Sequence, residues 1–125
     1  MFDNEILSEI EKKIVVTEEP FPNAIIEKFL PLEIVKKAEE EFTNFKKTAK
    51  AGSAQFQKTK RWGETYEDMP YTIKKIIDFL YSKNFINILE KKFNLKNVEP
   101  DWSLFGGGLH ESFNGGFLKI HSDFI

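Results

Sequence analysis

The chain has 125 residues, with 18 Lys plus Arg set against 20 Asp plus Glu, and it contains no cysteine. That length suits a single domain over residues 1–125, and the 13 phenylalanines within a 41% apolar composition are enough for a core, which argues against global disorder. The near-balanced charge lacks the basic excess of a nucleic-acid binder, no apolar run approaches the ~20 residues of a membrane span, and the absence of cysteine removes disulfides, thiolate zinc sites and a cysteine nucleophile.

The N-terminus, Met1-Phe2-Asp3-Asn4-Glu5, has neither the basic nor the apolar region of a signal peptide. The expectation is therefore a soluble, cytoplasmic protein that engages neither nucleic acid nor membrane. Ile14-Val15-Val16-Thr17 is short and β-branched and predicts a strand. Glu19-Pro20-Phe21-Pro22-Asn23 predicts a turn, because two prolines withdraw backbone donors and fix φ. The following Ala24-Ile25-Ile26-Glu27-Lys28-Phe29-Leu30 reads as extended up to Pro31, since a residue before proline avoids the α region.

From Leu32 the period becomes helical. Val35, Ala38, Phe42 and Phe45 stack on one face, Lys36, Lys37, Glu39, Glu40 and Lys46 are left to water, and the helix should end near Thr48. Pro31 suits its first turn. Residues 49–66 are irregular; Lys50, Lys58, Lys60 and Arg61 read as a solvated loop in preference to a basic lip for an anionic partner, with Trp62 as its anchor. Ile73, Ile76, Ile77 and Leu80 then form a second helical stripe behind Pro70. Ser82 is a candidate N-cap for a further helix carrying Phe85, Ile88, Leu89 and Phe93. These stripes read as packing surfaces. Glu99-Pro100-Asp101 punctuates the chain again.

The last part carries the chemistry. Trp102-Ser103-Leu104-Phe105 reads as a strand running into Gly106-Gly107-Gly108, a run that marks a bulge or a close backbone approach. A phosphate loop would need a helix after the glycines, and the pattern predicts another strand instead. Asn114-Gly115-Gly116 is a hairpin signal, and the strand predicted after it sets His121 and Asp123 on one face, roughly 7 Å apart along the backbone. An imidazole and a carboxylate so placed can converge on one Fe(II), Mn(II) or Zn(II) ion, with a third ligand needed from elsewhere. His110 reads as an ordinary hydrogen-bonded strand histidine, and Trp62 and Trp102 read as packing residues.

Taken together, Gly106-Gly107-Gly108-Leu109-His110, Asn114-Gly115-Gly116-Phe117-Leu118 and His121-Ser122-Asp123-Phe124 resemble the iron(II)- and 2-oxoglutarate-dependent oxygenases. The resemblance is narrowest to the prolyl 4-hydroxylase-like branch, whose N-terminal region is also similar to Phe29-Leu30-Pro31 and the helix after it. It implies an α+β fold, with N-terminal helices packed on the beginning of a double-stranded β-helix, or jelly roll, incomplete in this chain. It implies His121 as the first histidine ligand and Asp123 as the carboxylate ligand of Fe(II). It also implies 2-oxoglutarate as cosubstrate, ascorbate as an accessory reductant, and hydroxylation of an unactivated C–H bond in a small-molecule or peptidyl substrate. In the family the distal histidine and the basic residue that holds 2-oxoglutarate come many residues later. The chain is accordingly expected to be the N-terminal half of such an oxygenase, pairing with a C-terminal half through an exposed strand edge. The other expectations are a truncated, non-catalytic remnant acting as a binding or partner module, and a generic α+β domain with an accidental His-x-Asp.

Overall fold

The computed structural model describes residues 1–49, 52–53, 59–63, 65–105 and 107–122. Its architecture is α+β. In chain order it runs α1 (Asn4–Lys13), α2 (Leu32–Thr48), β1 (Gly52–Ser53), β2 (Thr59–Gly63), α3 (Tyr71–Leu80), α4 (Lys83–Phe93) and β3 (Leu109–Ser112). A 3₁₀ turn at Tyr66–Asp68 precedes α3. Two compact units share these elements, one made of Met1–Glu39 with Tyr71–Pro100, the other of Glu40–Pro70 with Asp101–Ile125.

The first unit opens with a helix that the sequence reading passed over. The Asp3 carboxylate accepts the Ile6 amide at 2.9 Å, Glu5 lies in the first turn, and Lys12 and Lys13 lie in the last, so both ends of α1 suit the helix dipole. Ile10 on α1 is 1% exposed and joins Ile14, Phe79, Phe85 and Ile88 in the core. The β-branched run after α1 is not a strand. Ile14 closes the helix and turns inward, Val15 faces water, and only Thr17 pairs, with Asn23 across the predicted turn. Asn23 knits that turn: its amide and carbonyl exchange 2.8 Å bonds with Thr17, and its side-chain amide donates to Phe21 and Glu19 carbonyls. The segment predicted as extended up to Leu30 is broken by a turn at residues 27–28, with Lys28 at φ 50°.

The start and end of α2 agree with the sequence pattern, and so does most of its face, with Ala38, Phe42 and Phe45 half-buried. At the start of α2 the buried residue is Ile34 in place of Val35, which is 43% exposed. In α3 the deepest residues are Thr72 and Phe79, with the isoleucine stripe only half-buried. Aromatic contacts explain which side turns inward. Phe79 stacks on Phe2 at 4.4 Å and packs beside Phe85 at 5.2 Å, and Phe29 meets Phe85 edge-on at 6.1 Å. Ser82 caps α4 as expected: its hydroxyl accepts the Phe85 amide at 3.2 Å and donates to the Phe79 carbonyl at 2.7 Å. Asn94 ends α4 in the left-handed conformation.

The second unit holds a small antiparallel sheet in the order β1-β2-β3. Two of its strands lie where a solvated loop was expected. Thr59 pairs with Ser112, Lys60 with Glu111 and Arg61 with His110; the register then slips, with Gly63 opposite Leu109 and Trp62 as the extra residue of a bulge. Lys50 and Lys58 lie outside the described residues. Gly63 and Met69 are buried, and a Cβ on Gly63 would touch the Met69 sulfur at 3.4 Å and the Phe45 ring at 3.5 Å, so those groups form the local core. Among the described residues no helix is long and apolar enough to cross a membrane.

Candidate functional site

The C-terminal segment departs from its predicted strands at several points. Residues 101–105 form turns, not a strand. The Asp101 carboxylate accepts the Ser103 hydroxyl at 2.6 Å and the Ser103 amide at 3.0 Å. Those two bonds stabilise the charged carboxylate, the hydroxyl most, and draw its pKa below the usual aspartate value. Trp102 meets Tyr66 edge-on at 5.3 Å, a packing role consistent with its reading. Leu104 adopts φ 51°, which no extended strand permits.

The glycine run does its structural work at Gly108. There φ is +141°, and a Cβ would stand 2.5 Å from the Gly63 carbonyl oxygen, so the close approach is to backbone of β2. The bulge anticipated for this region sits on β2, opposite Leu109 and His110. On β3, exposure alternates: Leu109 and Glu111 are half-buried, and His110 and Ser112 face water. His110 is thus an exposed strand histidine. Glu111 points the other way and meets Lys46 at 2.5 Å, with both side chains only about a quarter exposed. This contact corrects the solvent-facing assignment of Lys46, since its stem is drawn across α2 toward β3.

The turn at Asn114-Gly115 forms, closed by the Gly116 amide on the Phe113 carbonyl at 2.7 Å. Its handedness differs from a tight hairpin. Gly115 has φ 79° while Asn114 is not among the positive-φ residues, which is the φ pattern of a type II turn. Type II turns splay flanking strands that a primed turn would keep in register. In keeping with that, residues 117–122 form no ladder; Leu118 makes one bridge and the backbone bends at Ile120.

At that bend the His121 ring folds back on the chain, with Nδ1 2.7 Å from the Lys119 carbonyl oxygen. A carbonyl only accepts, so Nδ1 carries the proton and the neutral ring has its lone pair on Nε2. Metal-ligating histidines commonly take this form, with the other ring nitrogen donating to a carbonyl that fixes the tautomer. His121 is exposed. Asp123, the second predicted ligand, lies outside the described residues, as do Gly106 and Phe124. Among the described residues no three His, Cys, Asp or Glu side chains are grouped to hold a metal ion. Of the predicted pair, only His121 lies among the described residues, and its ring form is compatible with a ligand role.

Compared with known proteins, the chain matches no family model, no curated sequence and no solved structure.

Proposed function

We propose that the chain carries the His-x-Asp portion of an iron(II)- and 2-oxoglutarate-dependent oxygenase of the prolyl hydroxylase-like kind. The observation that supports this reading is the 2.7 Å contact from His121 Nδ1 to the Lys119 carbonyl, which puts the ring in the tautomer of a metal ligand. His121 and Asp123 would hold the iron, leaving positions open for 2-oxoglutarate and dioxygen. When bound, the iron would supply oxidative decarboxylation of 2-oxoglutarate coupled to hydroxylation of a C–H bond. The chain's own contribution at the described residues is to hold the His121 imidazole at a bend, with Nδ1 on the Lys119 carbonyl. In this reading the antiparallel β1-β2-β3 sheet is the start of a jelly roll, further strands pair along its edge, and the substrate is a small molecule or a peptidyl side chain.

The test is anaerobic titration of the whole chain with Fe(II) in the presence of 2-oxoglutarate, followed by visible absorption. A charge-transfer band is expected in the parent chain, with His121→Ala or Asp123→Ala weakening metal binding by at least about tenfold. No band in the parent, or an unchanged band in the doubly substituted chain, overturns the proposal.

A further inference from the structure

A groove of about 910 Å³ crosses the first unit, walled by α1 on one side and by Phe29, Leu30 and the start of α2 on the other. Ile6, Ile10 and Phe29 turn part of its apolar surface to the core, but Leu32 and Val35 remain 67% and 43% exposed. The α1 wall also carries charge in a fixed order. Glu5 and Glu9 line its first part, Glu9 with the Lys12 ammonium 3.6 Å from its carboxylate, and Lys13 lines its last, a span of about 12 Å at the helical rise. The Lys13 ammonium donates to the Lys28 carbonyl at 3.2 Å, which holds the basic charge at that end.

Matching this surface needs an apolar stripe flanked by opposite charges about two turns apart. A fatty carboxylate would satisfy Lys13 but lay its chain past Glu9, one turn away. A helix has the required form. Stable helices carry acid in the first turn and base in the last, in response to their own dipole. A helix so charged complements the α1 wall in one direction only. We infer that the groove receives an amphipathic helix of a partner protein, lying antiparallel to α1. Its acidic first turn rests over Lys13, its basic last turn over Glu5 and Glu9, and its apolar stripe on Leu32 and Val35.

The test uses the whole chain and a synthetic peptide of about 16 residues, long enough to populate helix, with Glu in its first turn, Leu at three- and four-residue spacing, and Lys in its last turn. The expected Kd lies on the order of 10–100 μM by fluorescence anisotropy. Leu32→Asp, an exposed position at a helix start where acid is tolerated, should weaken binding about tenfold with an unchanged circular dichroism spectrum. Glu9→Lys should weaken it about fivefold at low salt and hardly at all at 1 M salt. A spin label at the peptide C-terminus should broaden amide signals of Glu5 and Glu9, not those of Lys13 and Lys28. No binding, equal binding by Leu32→Asp, or broadening centred on Lys13 overturns the inference. So does sedimentation showing that the chain dimerises through this face, which would give the groove to a second copy.

Discussion

Gly108 and Gly115 both adopt positive φ, yet they answer different demands. At Gly108 a methyl group would collide with the Gly63 carbonyl at 2.5 Å, whereas at Gly115 nothing lies within 4 Å of the added carbon. Gly108→Ala should therefore cost at least about 2 kcal/mol and Gly115→Ala about 1 kcal/mol, the second being conformational cost alone. Urea unfolding followed by the fluorescence of Trp62 and Trp102, both in the second unit, measures the difference; equal losses would show that the contact with Gly63 is unimportant. Residue types announced several local features correctly. Ser82 before an apolar period, two prolines ahead of Asn23, and Asn114-Gly115 each specify a backbone shape through their own donors, acceptors or φ range. The turn type at Asn114 was not legible, because Asn accepts either sign of φ there and the choice decides whether a hairpin follows. Nor could the fold-back of His121 be read, since strand period assumes the extended backbone that the bend at Ile120 interrupts.

Helices were more legible than strands, for a physical reason. The pattern that makes α2 is contained within α2, so its bounds followed from period and proline alone. The burial of Ile34 in place of Val35 did not follow, because three- and four-residue spacing fits adjacent faces almost equally well. The helix α1 carried a full set of signals, Asp3, Glu5, Ile6, Ile10 and the closing lysines, but the β-branched run after it drew the reading toward a strand. The strand Thr59–Gly63 has neither alternation nor β-branched enrichment; its order comes from pairing with β3, some fifty residues on. At the corner between α3 and α4 a single hydroxyl serves both helices, accepting from Phe85 and donating to Phe79. Ser82→Ala should cost about 1 kcal/mol, lowering the melting temperature of the helical signal by a few degrees. Ser82→Asp should recover part of that loss through the capping bond alone, and failure to do so would place the weight on the Phe79 contact.

Each unit joins two stretches of chain that are remote in sequence, and the core residues show what this entails. Ile10 shares its core with Phe79, Phe85 and Ile88, so the buried face of α1 is incomplete until α3 and α4 are present. A chain ending at Pro70 should show α1 amides exchanging at nearly unprotected rates, while the full chain protects them. Protection of α1 in the shorter chain would mean that the helix stands by its own caps. The same arrangement sets an order of events during synthesis. Between emergence of Lys13 and of Phe93, on the order of ten seconds pass at ribosomal rates. Throughout that interval Phe2, Ile6 and Ile10 travel as bare apolar side chains, open to chaperones and to neighbouring nascent chains. A helix made before its partners thus waits for them, and is locked in place only when they arrive.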